Sequence, residues 1–299
     1  MLKVENVSKY YGTLKAVDNL SFEVKDGEIF GLLGLNGAGK TTTFRMIMCL
    51  IDDYTGKITL DGKKIDYTMT DKIGFLTEER SLLTKMTVLD QVKFYGVLKG
   101  MNEEEIENKL DYWLDKFSIS EYKNKKIKEL SKGNQQKIQF ICAIIHEPKL
   151  LILDEPFSGL DPINVELFKN IILEFKEKGT SIIFSSHRME HVEMFCEKLV
   201  VLVSGKSVLS GYLKDIKDEY KKKNVIVCGD IDKKKVNNLD GVIKVEKEAN
   251  EYIIKIKDSS YVSKIFKEIS KFDNITKFVV EDASLNEIFI EKVGEAYEK

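Results

Sequence analysis

The chain has 299 residues, of which 43% are hydrophobic and 32% are charged, and this composition is typical of a globular protein with one large or two moderate domains. Its net charge of −2 offers no clustered basic face for phosphate backbones, so no nucleic-acid partner is expected. No apolar run approaches the roughly 18 residues of a membrane span and no signal peptide is visible, which predicts a cytoplasmic protein.

Short strand patterns dominate the first quarter of the chain. A single helix, predicted at residues 41–50, interrupts them directly after the third strand. Its first backbone N–H groups are therefore expected to face a ligand bound at that junction. The strands are predicted at residues 2–8, 20–25, 29–34, 58–60 and 73–76.

A glycine-rich segment from Gly34 to Thr41 occupies this junction and fits the phosphate-binding pattern G-x-x-x-x-G-K-[ST]. Glycines are needed there because backbone N–H groups must converge on phosphates that side chains would obstruct. Lys40 is predicted to neutralise the β- and γ-phosphates, and the Thr41 hydroxyl to hold Mg²⁺. The predicted nucleotide-binding residues of this loop are Asn36, Gly37, Ala38, Gly39, Lys40, Thr41 and Thr42.

The pattern becomes helical from about 87 to 146, which predicts a helical insertion between two strand-rich halves. Apolar residues recur there at helical spacing, as at Val88, Val92 and Tyr95. Near the end of the insertion lies the segment 130–135, of sequence Leu-Ser-Lys-Gly-Asn-Gln, a short helix's length ahead of the next strand.

That next strand, Leu150–Leu153, delivers Asp154 and Glu155 at its carboxyl end, where parallel sheets bind their ligands. Asp154 is predicted to position Mg²⁺ through its water shell, and Glu155 to orient or deprotonate an attacking water. The strand–helix–strand rhythm that follows predicts an α/β fold with a parallel sheet. Its further elements are a helix near 163–178 and strands at 181–185 and 198–203.

An upstream P-loop, the 130–135 segment and the acidic strand occur in this order in the ATP-binding cassette (ABC) family, which residues 1–215 resemble. The resemblance implies a P-loop NTPase cassette with a mixed sheet core, an antiparallel β subdomain and the helical insertion. It also implies that the 130–135 segment is the signature motif, which in the family completes the ATP site of a second copy. The residues implied to act in this way are Ser131, Lys132, Gly133 and Asn134.

Further roles follow from the same resemblance. His187, at the end of the apolar strand, corresponds to the switch histidine that contacts the γ-phosphate, so the expected catalytic residues are Glu155, His187 and Lys40. Tyr11 is expected to stack on adenine, with Tyr10 as a core residue. The D-loop, which couples the two nucleotide sites of a dimer, corresponds to Ser158, Gly159, Leu160 and Asp161.

Two positions depart from the family pattern. Glu78 stands where the Q-loop usually has a glutamine, and its carboxylate is expected to join Thr41 and Asp154 as an oxygen ligand for Mg²⁺. Lys132 replaces the first glycine of the usual Leu-Ser-Gly-Gly-Gln. The sequence allows two interpretations of Lys132. Its ammonium reaches the γ-phosphate and offsets the charge of Glu78, or its side chain extends into solvent.

The sequence changes character near residue 220. We predict an ATPase domain at 1–220 and a C-terminal accessory domain at 221–299. Strand and helix patterns in the second domain alternate as βαββαβ, the order of a small ferredoxin-like α+β domain. A last helix is expected to open at Ser284 with a capping box to Glu287.

The sequence therefore predicts an ATPase subunit, with ATP and Mg²⁺ as cofactors, that drives a separate integral membrane transporter subunit from the inner face of the membrane. The resemblance implies closure of a homodimer, or of a heterodimer with a second cassette, and is nearest to bacterial exporters similar to sodium or drug efflux cassettes. Two alternatives stay open: a soluble cassette that acts on ribosomes or nucleic acid, and a regulatory cassette with weak turnover.

Overall fold

The computed structural model describes residues 1–297, which form two compact units, Met1–Ser210 and a second unit that begins at Gly211. The division falls slightly before the boundary predicted near residue 220, because helix α7 (Leu213–Glu219) groups with the second unit. Within the described part of the chain, no helix is both long and apolar enough to cross a lipid bilayer.

The first unit contains an antiparallel sheet with the strand order β2-β1-β4-β5. The second strand begins earlier than predicted because it forms a tight hairpin with the first strand around Gly12, whose φ of +59° favours glycine. The strands of this sheet are β1 (Leu2–Tyr11), β2 (Leu14–Val24), β4 (Thr55–Leu60) and β5 (Lys63–Lys64).

A second sheet, with the order β10-β9-β3-β8-β7-β6, carries the predicted parallel strands. The run from β9 to β6 is parallel throughout, and most of its residues are fully buried, as expected for a sheet covered on both faces. Its strands are β3 (Ile29–Gly34), β6 (Ile73–Leu76), β7 (Leu150–Asp154), β8 (Ser181–Ser185), β9 (Lys198–Val203) and β10 (Lys206–Tyr212).

The helices of the first unit confirm the predicted insertion. The helix after the P-loop is shorter than predicted, because Cys49 turns the chain with a φ of +56°. Stacked and edge-on rings join the insertion to the next helix of the core, as between Phe140 and Phe168, whose centroids lie 4.7 Å apart. The helices are α1 (Lys40–Ile47), α2 (Val88–Leu98), α3 (Glu103–Lys116), α4 (Lys132–Ile144), α5 (Pro162–Glu177) and α6 (Met189–Phe195).

The second unit is an antiparallel sheet with helices, and its strand order β12-β13-β11-β14 confirms the predicted ferredoxin-like pattern. Val225 and Ile254 of the sheet share an apolar core with Val236 and Ile265 of two helices. The last helix has the predicted capping box, since Ser284 and Glu287 bond each other's backbone N–H. The elements are β11 (Lys223–Cys228), α8 (Lys233–Asn237), β12 (Val242–Glu248), β13 (Glu251–Ile256), α9 (Val262–Ile269), β14 (Lys277–Asp282) and α10 (Leu285–Tyr297).

Candidate functional site

The P-loop runs from the end of β3 into α1, as predicted. Gly39 caps α1 with a φ of +108°, and a β-carbon there would lie 2.5 Å from the Ala16 carbonyl oxygen of the β1–β2 hairpin. Gly37 has a φ of +78° and no neighbour within 4 Å of the same position. The loop is thus held on one side by the hairpin and open on the other, so its backbone N–H groups can receive phosphate oxygens.

Three predicted loop side chains stand at the start of α1, where the helix dipole favours an anion. Lys40 Nζ donates to the carbonyl oxygens of Gly34 at 2.7 Å and Leu35 at 3.3 Å, so its ammonium lies over the loop. Thr41 is exposed, and Thr42 is half-buried. Asn36 is exposed, whereas Ala38 is buried and lies against the structural core.

Asp154, Glu155 and His187 come together because their strands are neighbours. Strands β7 and β8 pair in parallel with Asp154 opposite Ser185, so their carboxyl ends meet at one sheet edge. Glu155 Oε1 accepts from the His187 backbone N–H at 2.5 Å, and His187 Nδ1 lies 2.9 Å from the same oxygen. The Ser186 hydroxyl donates to Glu155 Oε2 at 3.2 Å. This buried carboxylate is therefore held in one orientation by the strand that carries His187.

Glu78 and Lys40 also belong to this sheet edge. Strand β6 pairs with β7 so that Leu76 lies opposite Leu153, which places Glu78, two residues further on, near the start of the turn after Asp154. Burial raises the pKa of Asp154 to about 6, the charges of Glu78 and Glu155 act in the same direction, and the ammonium of Lys40 opposes them. The P-loop lysine and the three carboxylates thus form one electrostatic cluster.

This cluster fits a magnesium ion. Mg²⁺ prefers oxygen ligands, and Thr41, Glu78 and Asp154 supply a hydroxyl and two carboxylates. A divalent cation would also compensate the burial and the neighbouring negative charges that together raise the pKa of Asp154.

Tyr11 lies at the end of β1 on the hairpin that contacts the P-loop. Its ring is 46% exposed, and Lys9 Nζ lies 4.9 Å from the ring centroid. The expectation that Tyr10 is a core residue is wrong, because its side chain is 50% exposed. The β1–β2 ladder shifts register between Lys9 and Tyr10, so the buried position falls to Lys9, which pairs with Asp53 at 2.9 Å.

The signature segment caps α4. Ser131 is the N-cap, and its hydroxyl accepts from the Asn134 backbone N–H at 3.3 Å. Lys132, the first residue of the helix, is exposed and forms no ion pair with any residue that the structure describes. Gly133 and Asn134 are half-buried. The segment therefore presents one hydroxyl, one ammonium and free helical N–H groups at a helix N-terminus.

The D-loop lies beside the signature segment. A β-carbon on Gly133 would lie 4.0 Å from Leu160 Cδ2, and one on Gly159 would lie 3.5 Å from the Arg80 guanidinium. Asp161 caps α5, accepting from the Asn164 backbone N–H at 2.9 Å, while Ser158 is exposed. The structure thus groups the signature segment with the D-loop, and the P-loop with Asp154, Glu155 and His187.

Two buried glutamines of α4 join these groups, and sequence reasoning missed both. Gln136 Nε2 donates to the Pro156 carbonyl at 3.1 Å, in the turn after Glu155. Gln139 Nε2 donates to the Thr77 hydroxyl at 2.9 Å, next to Glu78. Both glutamines lie on the buried face of α4, and polar residues on an apolar helix face were the signal available in the sequence.

Comparisons with known proteins agree with this arrangement. The family model described as "ABC transporter" matches residues 17–158, and the model described as "ATP-binding protein DrrA1-3-like, C-terminal domain" matches 211–293. The uncharacterized ABC transporter ATP-binding protein YhaQ of Bacillus subtilis (strain 168) is 49% identical over 298 residues, covering 100% of both chains. The linearmycin resistance ATP-binding protein LnrL of the same strain is 34% identical over 219 residues, covering 72% of this chain and 70% of LnrL.

The chain is also similar in fold to solved structures of ABC transporter cassettes. The dimeric structure of a bacterial ABC transporter cassette, MJ0796, has a TM-score of 0.65 at 27% identity and covers 71% of this chain and 99% of that chain. A post-hydrolysis dimer of that cassette, bound to ADP and Pi, matches with the same TM-score of 0.65 at 26% identity, covering 71% of this chain and 99% of that chain. Both confirm the predicted cassette fold. The chain therefore belongs to the ABC transporter family, as one of its ATP-binding subunits.

Proposed function

We propose that this subunit hydrolyses ATP with Mg²⁺ and couples the hydrolysis to export through a separate membrane subunit. The observation that carries the proposal is the convergence of Lys40, Asp154, Glu155 and His187 at one edge of the parallel sheet. A phosphate loop there faces an oriented carboxylate, which is the arrangement needed to bind a nucleoside triphosphate and activate a water.

Each residue has a role that follows from its position. Lys40 neutralises the β- and γ-phosphates, and Glu155 orients or deprotonates the attacking water, with its carboxylate held by Ser186 and His187. His187 is 74% exposed, so its ring can also face the γ-phosphate. When bound by Thr41, Asp154 and Glu78, Mg²⁺ supplies charge that stabilises the transferring phosphoryl group.

The active form is proposed to be a dimer. Ser131, Lys132, Gly133 and Asn134 lie with the D-loop rather than with the P-loop group, and they present a helix N-terminus that suits a γ-phosphate. Two copies would each lend this motif to the other's nucleotide. The dimeric cassette to which the chain is similar supports this arrangement.

The membrane partner is proposed to dock beside the Q-loop. A cleft of about 190 Å³ lies between strand β6 and helices α2 and α4, and its lining includes Phe75, Ser81, Tyr95, Gln139 and His146. Because Gln139 also holds the Q-loop backbone, a helix inserted into this cleft would move Glu78 and the nucleotide site together. A subunit coupled in this way would act at the inner face of the membrane.

Export is favoured over import by the names of the relatives. LnrL is described as a resistance protein, and a further relative, SrtF of Streptococcus pyogenes, as a lantibiotic transport ATP-binding protein. These descriptions apply to those proteins. We transfer to this chain only the class of activity, ATP-driven movement of a compound out of the cell, and assign no substrate.

The test compares ATP turnover of the native subunit and the Glu155→Gln variant. Removing the carboxylate should lower turnover by about 10²-fold or more, while ATP binding persists, because the P-loop is unchanged. A Glu174→Gln variant serves as control, since Glu174 lies on α5 and pairs with Lys116 of the insertion. Equal turnover of the native and Glu155→Gln proteins would contradict the proposal and would instead indicate a regulatory cassette.

A further inference from the structure

The sheet of the second unit has two edge strands, β12 and β14, and only one of them is protected. Strand β12 carries Lys244, Glu246 and Lys247, and its pairing with β13 shifts register between Val242 and Lys244. Charges and irregular pairing of this kind discourage further strand addition. The edge formed by β12 is therefore closed to a partner.

Strand β14 lacks the irregular pairing, and its charged residues lie at its two ends rather than along its length. All six of its residues pair with β11 in unbroken register, and it has neither proline nor bulge. Val279 and Val280 at its centre are 36% and 40% exposed. A regular edge with an apolar centre presents unpaired backbone N–H and C=O groups and is a template for one more strand.

The sequence of β14, Lys-Phe-Val-Val-Glu-Asp, is complementary to itself. Two copies that extend one sheet with the same face outward must place residues of the same parity opposite each other. Setting Val279 opposite Val279 of a second copy puts Lys277 opposite Glu281, and the two-fold symmetry makes this ion pair twice. Phe278 then lies opposite Val280 on the other face.

The neighbouring strands continue this match. Val279 lies beside Ile226 of β11, which lies beside Ile253 of β13, so an apolar row already crosses the sheet and ends at the open edge. Glu281 is exposed and has no ion-pair partner within residues 1–297. Lys277 pairs with Glu251 at 2.7 Å but stays 40% exposed, so its ammonium has donors left for a second carboxylate.

We propose that two copies of this chain pair through their β14 strands, antiparallel and with Val279 opposite Val279, to form one continuous sheet. The occupant of the edge is a second copy because its own strand supplies both the charges and the apolar residues that the edge requires. This contact needs no nucleotide, so it is independent of the ATP-dependent dimer proposed above.

The test is disulfide cross-linking of the full chain without ATP. Val279→Cys is made in a Cys228→Ser background, since Cys228 is the half-buried cysteine and the other three are buried. We expect Val279→Cys to form a covalent dimer at least about ten-fold faster than Ile243→Cys on strand β12, although Ile243 is the more exposed of the two, at 45% against 36%. Equal rates for the two variants would overturn the proposal.

Charge reversal supplies the second arm. In the Val279→Cys background, Lys277→Glu or Glu281→Lys alone turns both attractive pairs into repulsive ones and should reduce cross-linking by about ten-fold. When the two variants are mixed, each mixed dimer has a lysine opposite a glutamate in both pairs. Cross-linking should therefore return only in the mixture. Cross-linking that ignores these charges, or that produces ladders rather than dimers, would show non-specific edge association. ATP turnover stays intact in either case.

Discussion

Glu78 and Lys132 are the two residues at which the chain departs from the pattern of its family. Glu78 adds a carboxylate to a sheet edge where Asp154 and Glu155 are already crowded. Lys132 places a cation at the first position of α4, and no acidic residue in the first turn compensates it. A cation at this end of a helix is unfavourable for the chain by about 0.3–1 kcal/mol, so we infer that it serves the bound nucleotide.

Replacing Lys132 tests this inference. We expect Lys132→Gln to lower ATP affinity or turnover several-fold, because the ammonium would otherwise offset the charge of Glu78 and the γ-phosphate. Lys128→Gln, also exposed but outside the motif, is the matched control. In the Glu78→Gln background the effect of Lys132→Gln should shrink, and an unchanged effect in steady-state ATPase assays would leave Lys132 as a solvated lysine.

His146 gives the stability of the protein a pH dependence. Its Nε2 lies 3.2 Å from the Ile73 carbonyl oxygen, and burial, with the nearby Lys99 ammonium, lowers the pKa of His146 to about 4. The unfolded chain binds this proton near pH 6.5, so the unfolded state holds more protons between pH 6.5 and 4. The contribution to stability is therefore present above pH 6.5 and is lost as the pH falls.

We expect the free energy of unfolding to fall by on the order of 3 kcal/mol across this window because of His146 alone. His146→Gln keeps a donor for the Ile73 carbonyl and removes the titration. Denaturant unfolding at pH 6.5, 5.5 and 5.0 should show a shallower decline for the variant. Parallel pH profiles of the two proteins would mean that the pKa of His146 is the same in the folded and unfolded states, which would contradict the prediction.

Among single elements, helix α4 shows what the sequence could and could not predict. The sequence predicted that the signature segment lies a short helix's length ahead of the acidic strand, and α4 fills that interval. The hydrogen bonds from Gln136 and Gln139 to the turns after β7 and β6 could not be predicted from the sequence, because they join residues that only the folded sheet brings together. The misplacement of Tyr10 has a similar cause, a register shift within β1.

The P-loop allows a matched pair of substitutions. Gly39→Ala should lower the free energy of unfolding by about 2 kcal/mol more than Gly37→Ala, because only at Gly39 does the new β-carbon meet a backbone oxygen at 2.5 Å. Both positions have positive φ, so backbone strain is common to the two variants. Thermal unfolding without nucleotide measures the difference, and equal midpoints would show that the hairpin yields easily at Ala16.

For the whole molecule, the sequence predicted the cassette fold and the ferredoxin-like order of the second unit, because strand–helix rhythm and motif order are local signals. The exposure of edge strand β14 was beyond such reasoning. Whether a strand lies at the centre or the edge of a sheet depends on pairing between distant segments, here β11 with β14. Interaction surfaces of this kind become visible only when the sheet is assembled.

The central claim is that each ATP site combines Glu155 of one copy with the signature motif of the other. Two inactive proteins test it directly: Glu155→Gln, and Gly133→Asp, which sets a negative charge where the γ-phosphate would bind. A mixed dimer contains one site with both residues intact, so single-turnover ATP hydrolysis should reappear on mixing. A mixture as inactive as its components, with ATP binding preserved in both, would contradict the claim.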